Sequence, residues 1–255
     1  MSSNQSSSSS AKRRVALVAD ARHYVGPDLA RMLAARQHDL VLGDASEELL
    51  AECRALGSTA IAVSGVSNMA KEQSAQTITD VALQEFGVID AAVIASGQII
   101  PGRFVDSTMD QFEKLVEGCM YAPFNFLKAV IPPMIEQKSG QVLVITSAAG
   151  LRTLPGAALY SSVRAGATML ARNVAAEVAR FNVQVNAVGT NFMDFPEFLA
   201  ATGATDPAVR AKIEEQVPMK RLGRLDEFAN FCGVFLDGSS TFTTGQYVGY
   251  SGGWV

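Results

Sequence analysis

The chain has 255 residues, 48% of them hydrophobic, and 21 Lys and Arg against 25 Asp and Glu give a net charge of −4. That length and apolar content suit one sizeable core, and basic residues scattered through a mildly acidic chain exclude the footprint of a nucleic-acid partner. No apolar run reaches the roughly 20 residues that span a bilayer, and two histidines with three widely spaced cysteines offer no metal-ligand pattern.

Residues 1–12 are polar and serine-rich without periodicity, so they are expected to form a loose tail ahead of a single catalytic domain at 13–255. Short β-branched runs then alternate with amphipathic stretches. The runs at 14–19, 39–43, 59–63, 91–95, 141–146, 183–188 and 246–250 predict strands buried on both faces. This alternation predicts an α/β fold, a doubly wound parallel sheet of about seven strands. Its ligands belong beyond the carboxyl ends of the strands, which directs attention to residues after 19, 95, 146 and 188. The long helical pattern 109–136 contains Pro132 and Pro133, expected to kink or break its last turns. Residues 190–218, with Asn191, Phe192, Phe195, Pro196, Phe198 and Gly203, predict a loop with short helical pieces over a pocket. Cys53, Cys119 and Cys232 fit reduced thiols of a cytoplasmic protein.

Three spaced features carry a resemblance. "ITSAAG" ends a strand at Ser147, and Tyr160 follows thirteen residues later. "NAVGTN" follows the sixth strand, and "RLGRLDEFANFCGVFL" leads to "TTGQYVGYSGG". Over nearly its whole length the chain resembles the short-chain dehydrogenase/reductase superfamily, which implies a single-domain Rossmann-like fold. The dinucleotide-binding elements of that family depart here. Its glycine-rich first turn is "ADARHYVG", with Asp20 and Tyr24 at two glycine positions and Gly26 retained. Its cation after tyrosine is Arg164, its helix asparagine is Cys119, and its aspartate before the last glycines is Ser251. Asp44 resembles the ribose-binding acid, and its bland reading is a cap for the helix near Ser46.

The Ser147, Tyr160 and Arg164 set, with an aromatic in the nucleotide loop and an Asn-aromatic turn after the sixth strand, resembles the halohydrin dehalogenases. That resemblance implies a carbon-halogen lyase with no cofactor and no metal. Tyr160, helped by Arg164, would take the hydroxyl proton of a vicinal halohydrin as the oxygen displaces halide, and Ser147 would hold that oxygen. Tyr24, Thr190, Asn191, Phe192 and Met193 would hold the halide, and Phe195, Phe198 and Trp254 would line the substrate pocket. An epoxide with azide, cyanide or nitrite would run the reverse reaction. The resemblance also implies a homotetramer paired through the helices near 109 and 160.

Two rivals stand beside this reading. One is an atypical NAD(P)-dependent short-chain reductase with a Tyr-x-x-x-Arg motif, and the other is a binding module that has lost the reaction. Individual residues have plainer readings too. Tyr160 and Arg164 could be a surface pair, Asn191 could stabilise its own turn, His23 could be solvent-facing, and Trp254 could be an exposed anchor or an intersubunit contact.

Overall fold

The computed structural model describes residues 13–95 and 97–255, so the expected serine-rich tail at 1–12 lies outside the described residues. Strands β1 (Arg14–Val18), β2 (His38–Gly43), β3 (Ala60–Val63), β4 (Ala91–Ala95), β5 (Gly140–Ser147), β6 (Val183–Thr190) and β7 (Tyr247–Tyr250) form one sheet. Its order is β3-β2-β1-β4-β5-β6-β7 and every pairing is parallel. The helices are α1 (Gly26–Ala35), α2 (Glu47–Ala55), α3 (Glu72–Phe86), α4 (Met109–Val116), α5 (Ala122–Gln137), α6 (Ala158–Val178), α7 (Pro196–Thr202), α8 (Pro207–Gln216) and α9 (Leu225–Gly233).

Successive strand residues point to opposite faces, which divides the core into two layers. Leu17 packs with Phe126 of α5, Ile78 of α3 and Ala171 of α6. Its neighbours Ala16 and Val18 pack on the other face with Leu29 of α1 and Phe228 of α9. The expected double-sided burial holds for the central strands, with β5 buried at all eight positions. It fails at the edges, because β3 and β7 have a strand on one side only and retain half-exposed residues.

The long helical segment breaks earlier than expected. A π turn at Glu117–Tyr121 separates α4 from α5, and α5 runs through Pro132 and Pro133 to Gln137. The break falls beside Pro123, in the first turn of α5, where a missing N–H disturbs the preceding ladder rather than its own. The segment after β6 forms α7 and α8, as its composition predicts.

Strand order reverses between β1 and β4. The crevice at their carboxyl ends, bordered by the ends of β5 and β6, is the position where such sheets hold ligands. Among the described residues no helix is long and apolar enough to cross a membrane.

Candidate active site

Ser147 is the last residue of β5 and is buried. Its Oγ accepts a hydrogen bond from Ala149 N at 3.2 Å and donates to the carbonyl oxygen of Thr190, at the end of β6, at 3.4 Å. Its own carbonyl accepts a bond from the Tyr247 hydroxyl at 3.3 Å. Burial pushes the Tyr247 phenol up to about 12, so it remains a donor behind the serine. Tyr247 also fills space that only a glycine at position 189 leaves open. Sequence reasoning missed this pair; an aromatic facing a strand glycine on a neighbouring strand was the available signal.

Tyr160 lies in the first turn of α6, and Arg164 follows one turn later on the same side. Both are buried. The Arg164 Cζ stands 5.2 Å from the Tyr160 ring centroid, a cation–π contact. Tyr160 packs with Ala149, two residues beyond Ser147, and with Cys119 of the π turn. Burial works against the charge on Arg164, while Tyr160 and Cys119 more than offset it, so its pKa lies above the ordinary arginine value. Burial raises the Cys119 thiol against the pull of Arg164, which keeps it protonated. Among the described residues the Arg164 Nε and Nη1 atoms are buried without a hydrogen-bond partner. Gly97 makes room for this arrangement.

Tyr24 comes from the turn after β1 and has a left-handed φ of 50°. Its hydroxyl donates to Thr190 Oγ1 at 2.9 Å. Its ring packs on Phe195 with centroids 4.7 Å apart and on Phe228 at 6.4 Å. Burial raises its pKa far enough that it stays a neutral phenol. Thr190 thus joins Ser147, through its carbonyl, to Tyr24, through its hydroxyl. The Asp20 carboxylate knits the same turn, accepting from Arg22 N at 2.8 Å and His23 N at 3.2 Å, with His23 Nδ1 3.0 Å away. His23 is exposed, as its plainer reading has it.

The remaining expected pocket residues occupy an adjoining place. Asn191, Phe192 and Met193 line a 480 Å³ cleft at the carboxyl ends of β6 and β7, with Met219, Arg221 and Tyr250 among its other walls. The Asn191 Nδ2 atom is buried without a partner. Phe192, with φ 54°, sets its ring edge-on to Phe198 at 6.4 Å and to Trp254 at 5.8 Å. Phe195 stacks on Phe198 at 6.0 Å. Trp254 is not an exposed anchor: it is buried in its own chain, with the Arg152 guanidinium 4.6 Å from its ring centroid.

Asp44 is not the cap of α2. Ser46 holds that position, with Oγ accepting from Leu49 N. The Asp44 oxygens instead accept N–H groups from the β3–α3 loop: Gly65 at 2.6 Å, Val66 at 3.0 Å and Ser67 at 2.6 Å. Among the described residues no cluster of His, Cys, Asp or Glu could hold a metal ion.

Comparison with known proteins places this geometry in context. A family model described as enoyl-(acyl carrier protein) reductase matches residues 21–255. A 3-oxoacyl-[acyl-carrier-protein] reductase of Synechocystis sp. is 30% identical over 248 residues, covering 95% of this chain and 97% of its own length. The crystal structure of levodione reductase superposes with a TM-score of 0.85 at 24% identity, covering 94% of this chain and 96% of its own. A solved structure named "Dehalogenation enzyme" superposes with a TM-score of 0.81 at 28% identity, covering 96% and 99%.

These findings correct the expected function. The family model and the 30%-identical relative carry reductase names, and that overturns the assignment as a halohydrin dehalogenase, a cofactor-independent lyase. The neighbour named for dehalogenation shares the fold and 28% of its residues, and it does not outweigh those matches. The reductase rival with Tyr-x-x-x-Arg is the better supported reading.

Proposed function

Because the chain belongs to the short-chain dehydrogenase/reductase family, we propose that it is an atypical NAD(P)-dependent oxidoreductase that reduces a small carbonyl compound, or oxidises the matching alcohol. The single observation that carries this reading is the buried grouping of Tyr160 with Arg164, beside Ser147 at the carboxyl end of β5.

Fit of a nicotinamide dinucleotide differs between its two ends. Among the described residues Arg164 Nε and Nη1 and Asn191 Nδ2 are buried donors without an acceptor, and leaving such groups unpaired costs roughly 1–3 kcal/mol each. They fit the hydroxyl and carboxamide oxygens of a nicotinamide riboside. At the amino terminus of α1 the Gly26 N–H is bonded to the His23 carbonyl, Pro27 has no N–H and Asp28 adds a carboxylate, so the helix end offers few free donors to a diphosphate. Tyr24 and the Asp20 carboxylate do not fit that diphosphate in the conformation present. When bound, the dinucleotide supplies the hydride for the carbonyl carbon.

The chain's own residues supply the proton and the orientation. The Ser147–Thr190 bond is long at 3.4 Å, so the serine hydroxyl can rotate to donate to a substrate oxygen. Tyr160 donates its proton to that oxygen as it gains charge, and the reverse reaction returns it. Arg164 offsets the charge left on the ring from the face it covers. Cys119 stays a thiol and takes no part in the proton transfer. Phe192, Met219 and Tyr250 give the adjoining cleft apolar walls suited to the remainder of the substrate.

Cytoplasmic location is part of the proposal, supported by three cysteines that are all free and buried. Assembly of copies is another part. Met109 of α4, Tyr121 of the π turn, Phe124 of α5 and Met169 of α6 each leave 49% or more of their surface in solvent, which supports pairing through these helices into a tetramer.

The test is consumption of NADH or NADPH with a panel of small ketones and 3-oxoacyl thioesters. Turnover that falls roughly 10²- to 10⁴-fold in Tyr160→Phe supports the reading. Turnover absent across the panel with both cofactors contradicts it.

A further inference from the structure

We infer that Tyr24 sets how tightly this chain holds a dinucleotide, by lying across the crevice that the cofactor must enter; the inference rests on the oxidoreductase reading. Tyr24 leaves the turn after β1, yet its hydroxyl is bonded to Thr190 at the end of β6. The sheet order puts β4 and β5 between those two strands. Turn and side chain together therefore pass over the strand ends on which a dinucleotide lies in sheets of this kind.

Several interactions hold the ring there. The phenol donates to Thr190 Oγ1, and the ring packs against Phe195 and Phe228. The turn is fixed from its other side by the Asp20 carboxylate. Tyr24 nonetheless sits at φ 50°, where a side chain is strained relative to glycine. The closed form is thus built from specific contacts working against backbone preference, which is the condition for two arrangements of similar free energy. Because the phenol stays protonated, the closing bond persists over the working pH range.

A binding-competent state that is only partly populated lowers the apparent affinity by its fraction. Removing the contacts of Tyr24 should return that factor. Dissociation constants for NADH and NADPH are measured by titration calorimetry on the wild-type chain, Tyr24→Phe and Tyr24→Ala, with thermal melts to check folding. Tyr24→Phe keeps the ring and loses the bond, so it should bind about threefold to tenfold more tightly, and Tyr24→Ala at least about tenfold more tightly. Equal, tight binding by all three chains overturns the inference and leaves the oxidoreductase reading standing. Absence of binding by all three overturns both. Weaker binding by the variants than by the wild-type chain reverses the assignment, making Tyr24 a cofactor contact.

Discussion

Gly97 leaves the space that the Arg164 guanidinium fills: a β-carbon at position 97 would stand 2.8 Å from Arg164 Nη2. It would also stand 2.5 Å from Cys119 Sγ, and the glycine has a φ of 94° that other residues rarely adopt. Gly97→Ala should therefore displace the guanidinium from the face of Tyr160. Since a misplacement near 1 Å can cost about 10²-fold in rate, carbonyl reduction should fall by roughly 10- to 100-fold. Steady-state kinetics beside a thermal melt check this, and an active, folded variant would remove Gly97 from the arrangement.

Arg164 is held at a cost to the fold. Two of its nitrogens are buried without partners among the described residues, and a buried donor left unpaired costs roughly 1–3 kcal/mol. Arg164→Met fills similar volume without those donors. Its melting temperature should match or exceed the wild type, while turnover falls about 100-fold. A marked loss of stability would mean that the guanidinium is structural.

Asp44 braces the β3–α3 loop through three N–H groups. Asp44→Ala should cost about 2 kcal/mol, which corresponds to roughly 4–8 °C in melting temperature for a chain of this size. Asp44→Asn, whose amide oxygen still accepts and which tolerates the φ of 51° at this position, should cost less. Equal melts for all three chains would contradict the brace.

His38 supplies a pH dependence. It is fully buried, with Nδ1 3.1 Å from both the Leu33 and Arg36 carbonyl oxygens and Nε2 without a partner. Burial, aided by the charge of Arg14, lowers its pKa from 6.5. The unfolded chain thus binds this proton at higher pH than the folded chain does. Its contribution to stability is complete above about pH 6.5 and declines as pH falls toward the lowered folded value. Urea midpoints should drop between pH 7 and 5, and His38→Asn should flatten that slope.

Much of this was readable in the sequence because it depends on short-range pattern. Strand runs and helical periodicity placed the sheet, and the four-residue spacing of Tyr160 and Arg164 placed both on one side of α6. What the pattern could not carry was partner choice across the sheet. Asp44 could cap α2 or brace another loop, and only the approach of residues 65–67 decides between them. Tyr247 lies far along the chain from Ser147 and gives no local signal of the bond between them. Trp254 is covered by Arg152 and Phe192, contacts that follow from tertiary packing. The functional error had the same root: altered glycines described a turn, not the crevice around it, where unpaired donors remain.

The most direct measurement of the proposed reaction follows the atoms. Reduced nicotinamide dinucleotide carrying deuterium at both positions of the transferring carbon is incubated with the chain and an accepted ketone, and the product alcohol is examined by mass spectrometry. One deuterium at the carbinol carbon, lost together with turnover in Tyr160→Phe, is the predicted result; product alcohol without deuterium, or with undiminished labelling in that variant, contradicts the account.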